Sequence, residues 1–310
     1  MTQKIVFMGT SNFAVPILKS LYQNGYSISV VYTQPPKKSN RGQKLNKSAI
    51  NLFSENISLD VRTPQSLKNN TEEELYLAEL KQDIILVVSY GQIIPKNILN
   101  IPKYGFLNVH ASLLPKWRGA APIQRSIINL DKETGISVMK IAEELDTGPV
   151  CNTYKINLEK NLNASEVADK LSLVAAEKIL DNIDDILEDK ANFIEQDHSK
   201  ATYASKIQKA EGEINWSNNA KDINGKINGL YPVPGAFFIY KGERYKILKA
   251  KIGNGIGNVG EVVSDDLEVA CGNNQSIKIL EIQRQGKNPQ KINEFMLGSK
   301  IKKGSNLQNE

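Results

Sequence analysis

The run Ile5–Met8, led by Lys4 and closed by Gly9, is continuously apolar, the pattern of a buried strand rather than a half-exposed one. Thr10, Ser11 and Asn12 follow. Phe13, Val15, Leu18 and Leu21 then fall at helical spacing, with Asn12 as the expected N-cap. The same alternation recurs down the chain. It predicts strands near 28–32, 59–62, 84–88, 106–110, 135–141 and 150–156, and helices near 44–56, 71–81 and 121–130. A long amphipathic helix is expected over 165–187, with Ser165 as its cap. Strands alternating with helices predict an α/β fold, a Rossmann-like mainly parallel sheet with helices on both faces.

The texture changes after 188. Residues 189–206 are polar and weakly periodic and read as a linker between a domain at 1–188 and another at 207–310. From 207, strand-like runs at 235–240, 244–252, 260–263, 268–271 and 276–283 alternate with Gly and Asn turns, after one helix near 219–230. Short strands at that spacing predict a small OB-like β-barrel.

Composition removes several classes. No apolar run approaches the roughly 20 residues of a membrane span. A strand beginning at Lys4 leaves no room for a leader peptide, so the expected location is the cytoplasm. Cys151 and Cys271 are the only cysteines; they fit a reducing compartment and offer no zinc spacing, and no metal is expected. The first strand–turn–helix lacks Gly-x-Gly-x-x-Gly, which argues against a nicotinamide cofactor. Of the formal net charge of +5, residues 207–310 carry 15 Lys+Arg against 11 Asp+Glu, a modest pointer to a polyanionic partner.

Chemistry concentrates at 105–125. Asn108 and His110 lie two apart on one strand, so they share a face. Pro115 prevents the chain from staying regular beyond them. Both therefore sit at the carboxyl end of a strand, where open α/β sheets bind ligands. His110 is one of two histidines, and histidine is the side chain whose ordinary titration lies near neutrality. His198 lies in the polar stretch far from the sheet and reads as structural or solvent-facing. Asp146, in a Leu-Asp-Thr-Gly-Pro turn, has an ordinary reading as a turn residue when taken alone. Residues 33–47 carry Lys37, Lys38, Arg41, Lys44 and Lys47 without an acid. Pro35, Pro36 and Gly42 argue against regular structure there, and the loop leaves a strand on the His110 rim, which suits phosphate contacts.

Taken together, Asn108-x-His110, the Ser112–Pro115 loop and Asp146-Thr147-Gly148 resemble the folate-dependent formyltransferases. Trp117–Arg125, the Gly9-Thr10 opening, the Arg41 loop and Lys209-x-Glu211-x-x-Ile214-Asn215-Trp216 resemble the branch acting on methionyl-tRNA, and the likeness runs nearly the whole chain. Ser11, Asn215 and Pro149 stand where that branch commonly has Pro, Asp and Asp. The resemblance implies formyl transfer from 10-formyltetrahydrofolate to initiator methionyl-tRNA by a monomer. Asn108, His110 and Asp146 would be catalytic. Tyr90, Gly91, Gln92, Ser112, Leu113, Leu114 and Pro115 would hold the folate. Lys37, Lys38, Arg41, Lys44, Lys206 and Lys209 would contact tRNA. Transfer to an amino-sugar nucleotide or another small amine is the main alternative. A non-catalytic RNA-binding protein would have no reason to keep all three of Asn108, His110 and Asp146.

Overall fold

The computed structural model describes residues 4–39, 44–159 and 161–308. In chain order the elements are β1 (Lys4–Gly9), α1 (Val15–Gln23), β2 (Ser27–Tyr32), β3 (Lys37–Ser39), β4 (Lys44–Asn46), α2 (Ala49–Asn56), β5 (Val61–Arg62), α3 (Thr71–Leu80) and β6 (Ile84–Val88). Next come α4 (Lys96–Leu99), β7 (Phe106–His110), β8 (Arg118–Gly119), α5 (Pro122–Ile128), β9 (Glu133–Lys140), β10 (Val150–Asn157), α6 (Ala164–Leu187) and β11 (Tyr203–Ala204). The last third holds α7 (Ala220–Gly229), β12 (Ala236–Tyr240), β13 (Glu243–Gly253), β14 (Glu268–Cys271), β15 (Gln275–Arg284), β16 (Gln290–Lys291) and α8 (Ile292–Leu297).

Seven strands form one sheet in the order β10-β9-β7-β6-β1-β2-β5. β1 pairs in parallel with β2 and β6, β2 with β5 and β6 with β7, while β9 runs antiparallel to β7. Ile5 to Val88 across the central pair are fully or almost fully buried, which is why those strands read as unbroken apolar runs. The chain moves from β1 outward to β2 and β5, then returns to β6 and β7 on the other side. The crevice beyond the carboxyl ends of β1 and β6 is thus the topological switch point. Thr10 and Tyr90 meet there: the Thr10 hydroxyl donates to the Tyr90 carbonyl at 2.8 Å.

Contacts divide the chain into two units. One comprises residues 1–119, 135–156 and 168–203; the other comprises 120–134, 157–167 and 204–310. The polar stretch after α6 therefore belongs, as far as Tyr203, to the first unit. The second unit is built on an antiparallel sheet in the order β12-β13-β15-β14, with β16 on β15. Its core includes Trp216, Ile227, Phe238, Tyr245, Ile279 and Ile301. Residues 260–263 were expected as a strand there. They make only single bridges, because Val262 N–H turns to Ser305 while Val263 N–H turns to Glu268. The folded class expected from the sequence, a mainly parallel α/β sheet followed by a smaller antiparallel domain, is the one found.

Some local expectations need correction. Residues 12–14 form a tight 3-10 turn, so α1 begins at Val15 and Asn12 caps nothing. Asn163, not Ser165, caps α6: its Oδ1 accepts from Ser165 and Glu166 N–H, and Glu166 returns the bond to Asn163 N–H. The charged stretch 33–47 was expected without regular structure, yet β3 and β4 pair across it, Lys37 with Asn46. Thr33 and Ser48 hydroxyls, 2.6 Å apart, join the two ends of that excursion.

Within the second unit α7 lies very close to α5. A Cβ on Gly229 would come 2.6 Å from Ile128 Cγ1 and 3.0 Å from the Gln124 carbonyl. Gly229→Ala should therefore lower stability by about 1–3 kcal/mol through overpacking, less a helix-propensity gain of about 1 kcal/mol. Urea denaturation of the full chain measures it, and an unchanged midpoint would show that the helices have room to spare.

Candidate active site

His110 ends β7 and is 6% exposed. Its Nε2 lies 2.9 Å from the Trp117 carbonyl. A carbonyl only accepts, so Nε2 carries the hydrogen. Its Nδ1 faces Asp146 Oδ2 at 3.6 Å, longer than a formed hydrogen bond. Asp146 Oδ2 in turn accepts from Gly119 N–H at 2.8 Å. Residues 117–119 thus hold both members of the pair, the ring through a carbonyl and the carboxylate through an N–H.

The backbone is bent to do this. Trp117 has φ of 62° and Asp146 of 52°, both left-handed; Gly119 is at 123°. Such a conformation costs roughly 1–3 kcal/mol per non-glycine residue and clusters at functional sites. Across the sheet, buried Ser137 on β9 faces His110 in register. Its hydroxyl donates to Ser112 C=O at 2.7 Å and accepts from Leu114 N–H at 3.1 Å. That fixes the Ser112–Pro115 loop just beyond the histidine.

The predicted site residues fall into place unevenly. His110 and Asp146 come together, and Asn108 lies two residues before His110 on β7. Asn108 is partly exposed, and its amide makes no hydrogen bond among the described residues, so it is free to donate to a ligand. Among the residues expected to hold folate, Tyr90 has its ring in the core and its phenol pushed up by burial; only its carbonyl faces the switch point, bonded to Thr10 and Gln34. Gln92 instead binds Leu67 N–H and the Pro64 carbonyl, shaping the neighbouring loop. The Ser112 hydroxyl donates to Lys116 C=O. Gly91 at φ 79° is exposed, and the partly exposed Leu113, Leu114 and Pro115 leave apolar surface open, although the Gly91, Leu113 and Pro115 carbonyls and Leu114 N–H are already bonded. This is a setting in which a flat ring with hydrogen-bonding edges fits. Lys37, Lys206 and Lys209 are exposed. Lys38 and Lys44 lie on β3 and β4. Arg41 lies outside the described residues.

Sequence reasoning missed the residues that hold the pair. Trp117 and Gly119 act through backbone atoms, and Ser137 is an ordinary strand serine. Gln196 comes from the polar stretch after α6, 50 residues from Asp146. Trp117 and Gly119 lie in the 117–125 stretch that carries the resemblance, but nothing there marks their backbone roles, and no local pattern marks Ser137 or Gln196.

Comparison with known proteins is decisive at this point. The formyl transferase family matches residues 3–183, and the formyl transferase C-terminal domain matches 206–300. The chain belongs to the formyl transferase family. A methionyl-tRNA formyltransferase of Pelagibacter ubique is 65% identical over 309 residues, covering 100% of both chains. One from Chelativorans sp. is 41% identical, covering 99% of this chain and 100% of its own. Among solved structures, the N-formyltransferase of Helicobacter canadensis in complex with folinic acid and dTDP-3-aminofucose has a TM-score of 0.70 at 21% identity. It covers 92% of this chain and 100% of that one. At that identity the likeness concerns the fold.

In this formyltransferase, Gly148 closes the turn that carries Asp146. A Cβ there would lie 2.0 Å from the Lys140 carbonyl, so Gly148→Ala must displace the turn. Turnover of the folded variant should fall by up to about 100-fold, the scale of a 1 Å misplacement. Steady-state assay beside a melting curve checks it; parental turnover would show that the turn need not be held so closely.

Proposed function

We propose that this enzyme transfers the formyl group of 10-formyltetrahydrofolate to the α-amino group of initiator methionyl-tRNA, in support of translation initiation. The observation that carries the reading is full-length similarity to methionyl-tRNA formyltransferases, supported by the approach of Asp146 to His110 at the end of β7, the strand that also carries Asn108. Sugar formyltransferases resemble the chain in fold at far lower identity.

The donor supplies the formyl carbon and, at N10, the leaving nitrogen. Asn108 donates its amide N–H to the carbonyl oxygen, where negative charge develops as the amine attacks. The amine must lose a proton and N10 must gain one. His110, already anchored through Nε2, can take and return a proton at Nδ1. Asp146 holds that face of the ring and stabilises it when charged, as a carboxylate steadies histidine in hydrolytic triads. With its hydrogen at Nε2 the neutral ring has no donor for Asp146, so the 3.6 Å gap can become a hydrogen bond only once Nδ1 has taken the proton. No serine or cysteine nucleophile enters: Cys151 and Cys271 are free thiols, and burial pushes both upward in pKa.

Leu113, Leu114, Pro115 and the 90–92 turn cradle the folate. Lys37, Lys38, Arg41 and Lys44 grip the acceptor end of the tRNA. Lys206, Lys209 and the domain at 207–310 attract phosphates further along, adding affinity with little base readout. Residues 1–188 carry the chemistry. The enzyme acts as a monomer in the cytoplasm, and among the described residues no helix is long and apolar enough to cross a membrane.

Transfer of labelled formyl to initiator methionyl-tRNA, elongator methionyl-tRNA and an amino-sugar nucleotide tests the proposal. Initiator tRNA should be preferred, and Asn108→Ala should lower kcat on it by about 10²–10³-fold, the scale of one lost oxyanion donor. Preference for the sugar nucleotide would overturn the acceptor; an effect confined to the folate KM would overturn the role of Asn108.

A further inference from the structure

Gln196 is 7% exposed, and its carboxamide is saturated. Oε1 accepts from Arg118 Nε at 3.1 Å and Nη2 at 2.8 Å. Nε2 donates to the Asp146 carbonyl at 2.9 Å and the Gly148 carbonyl at 2.7 Å. Two lone pairs and two hydrogens are the full capacity of this group. Its orientation is also forced. Turned over, the amide would set its NH₂ against a guanidinium that can only donate, and its oxygen against two carbonyls that can only accept.

Arg118 is the other half of the device. It is 1% exposed, and among the described residues no carboxylate pairs with it. Burying an unpaired cation is costly unless its N–H groups find acceptors. Gln196 provides two of those contacts, and His198 Nδ1 lies 3.3 Å from Nη1. Since guanidinium cannot accept, that ring nitrogen does. His198 is therefore tied into the first unit despite its exposed edge.

The placement of Arg118 in the chain gives these bonds their consequence. Trp117, before it, holds His110 by a carbonyl; Gly119, after it, holds the Asp146 carboxylate by an N–H. Gln196 binds the backbone of the Asp146 turn to the same three-residue segment. Asp146 is thus held at both ends, its carboxylate by Gly119 and its left-handed backbone by Gln196.

We infer that Gln196 is a positioning residue for formyl transfer: by joining buried Arg118 to the carbonyls of Asp146 and Gly148, it sets the Asp146 carboxylate against His110. The inference rests on the role given to Asp146 above. Two contributions of Gln196 can be separated. Gln196→Glu keeps acceptors for Arg118 but cannot donate to both carbonyls in the ionised form.

The test is steady-state kinetics of Gln196→Glu, Asp146→Asn and the double variant, in the full chain, with initiator methionyl-tRNA as acceptor. Gln196→Glu should lower kcat by between about 10- and 100-fold, with both KM values moving by less than about threefold. In the Asp146→Asn background it should lower kcat no further, because the two residues act as one unit. Near-parental kcat in Gln196→Glu beside a slow Asp146→Asn would overturn the positioning role alone, as would losses that multiply. A fast Asp146→Asn would overturn the role of Asp146 and the inference together. Should Gln196→Glu fail to fold, Gln196→Asn, whose shorter amide cannot span both partners, is read by the same criteria.

Discussion

The hydrogen bond from His110 Nε2 to the Trp117 carbonyl is the contact on which the site depends. It fixes which ring nitrogen holds the hydrogen and leaves Nδ1 turned to Asp146. A carbonyl can be placed there only because the chain reverses at Trp117 in a left-handed conformation. The reversal also brings Gly119 N–H to the Asp146 carboxylate. One short segment therefore sets the distance and angle between two side chains that are 36 residues apart in sequence.

Backbone groups suit this task. They do not titrate, and they lose no rotamer freedom when the site assembles. The polar side chains that support them are buried and bonded, Ser137 and Gln196 above all, since an unsatisfied polar group there would cost about 1–3 kcal/mol. Close backbone approach completes the frame. Gly135 would meet the Tyr154 carbonyl at 2.3 Å, and Gly148 the Lys140 carbonyl at 2.0 Å, if either carried a Cβ. His110 and the Asp146 carboxylate have backbone partners, while the Asn108 amide makes no hydrogen bond among the described residues.

Much of this was legible in the chain. Unbroken apolar runs at Ile5–Met8 and 84–88 mark buried parallel strands, and the Asn108-x-His110 spacing placed two polar groups on one face at a strand end. What escaped had no local signature. The bonds from Gln196 to Arg118 span 78 residues, and nothing in a polar stretch distinguishes that glutamine from its neighbours. The β3–β4 pairing was hidden because each strand is only three residues long and Leu45 is the one apolar residue in either, too little for a period of two to show. Of the residues expected to hold folate, Gln92 and Ser112 already spend side-chain bonds on Pro64, Leu67 and Lys116. A motif locates a loop but does not say which of its polar atoms the loop itself consumes.

Because the chain has only two histidines, the central contact can be observed directly. Nitrogen-15 NMR of the histidine-labelled protein, recorded where the rings are neutral, reports which nitrogen of each ring bears the hydrogen. A His198→Gln sample assigns the signals. The account predicts that His110 bears its hydrogen at Nε2, bonded to Trp117, with Nδ1 bare toward Asp146. A hydrogen at Nδ1 with Nε2 bare would contradict it, since the Trp117 carbonyl would then have nothing to accept and the ring would be held by Asp146 alone.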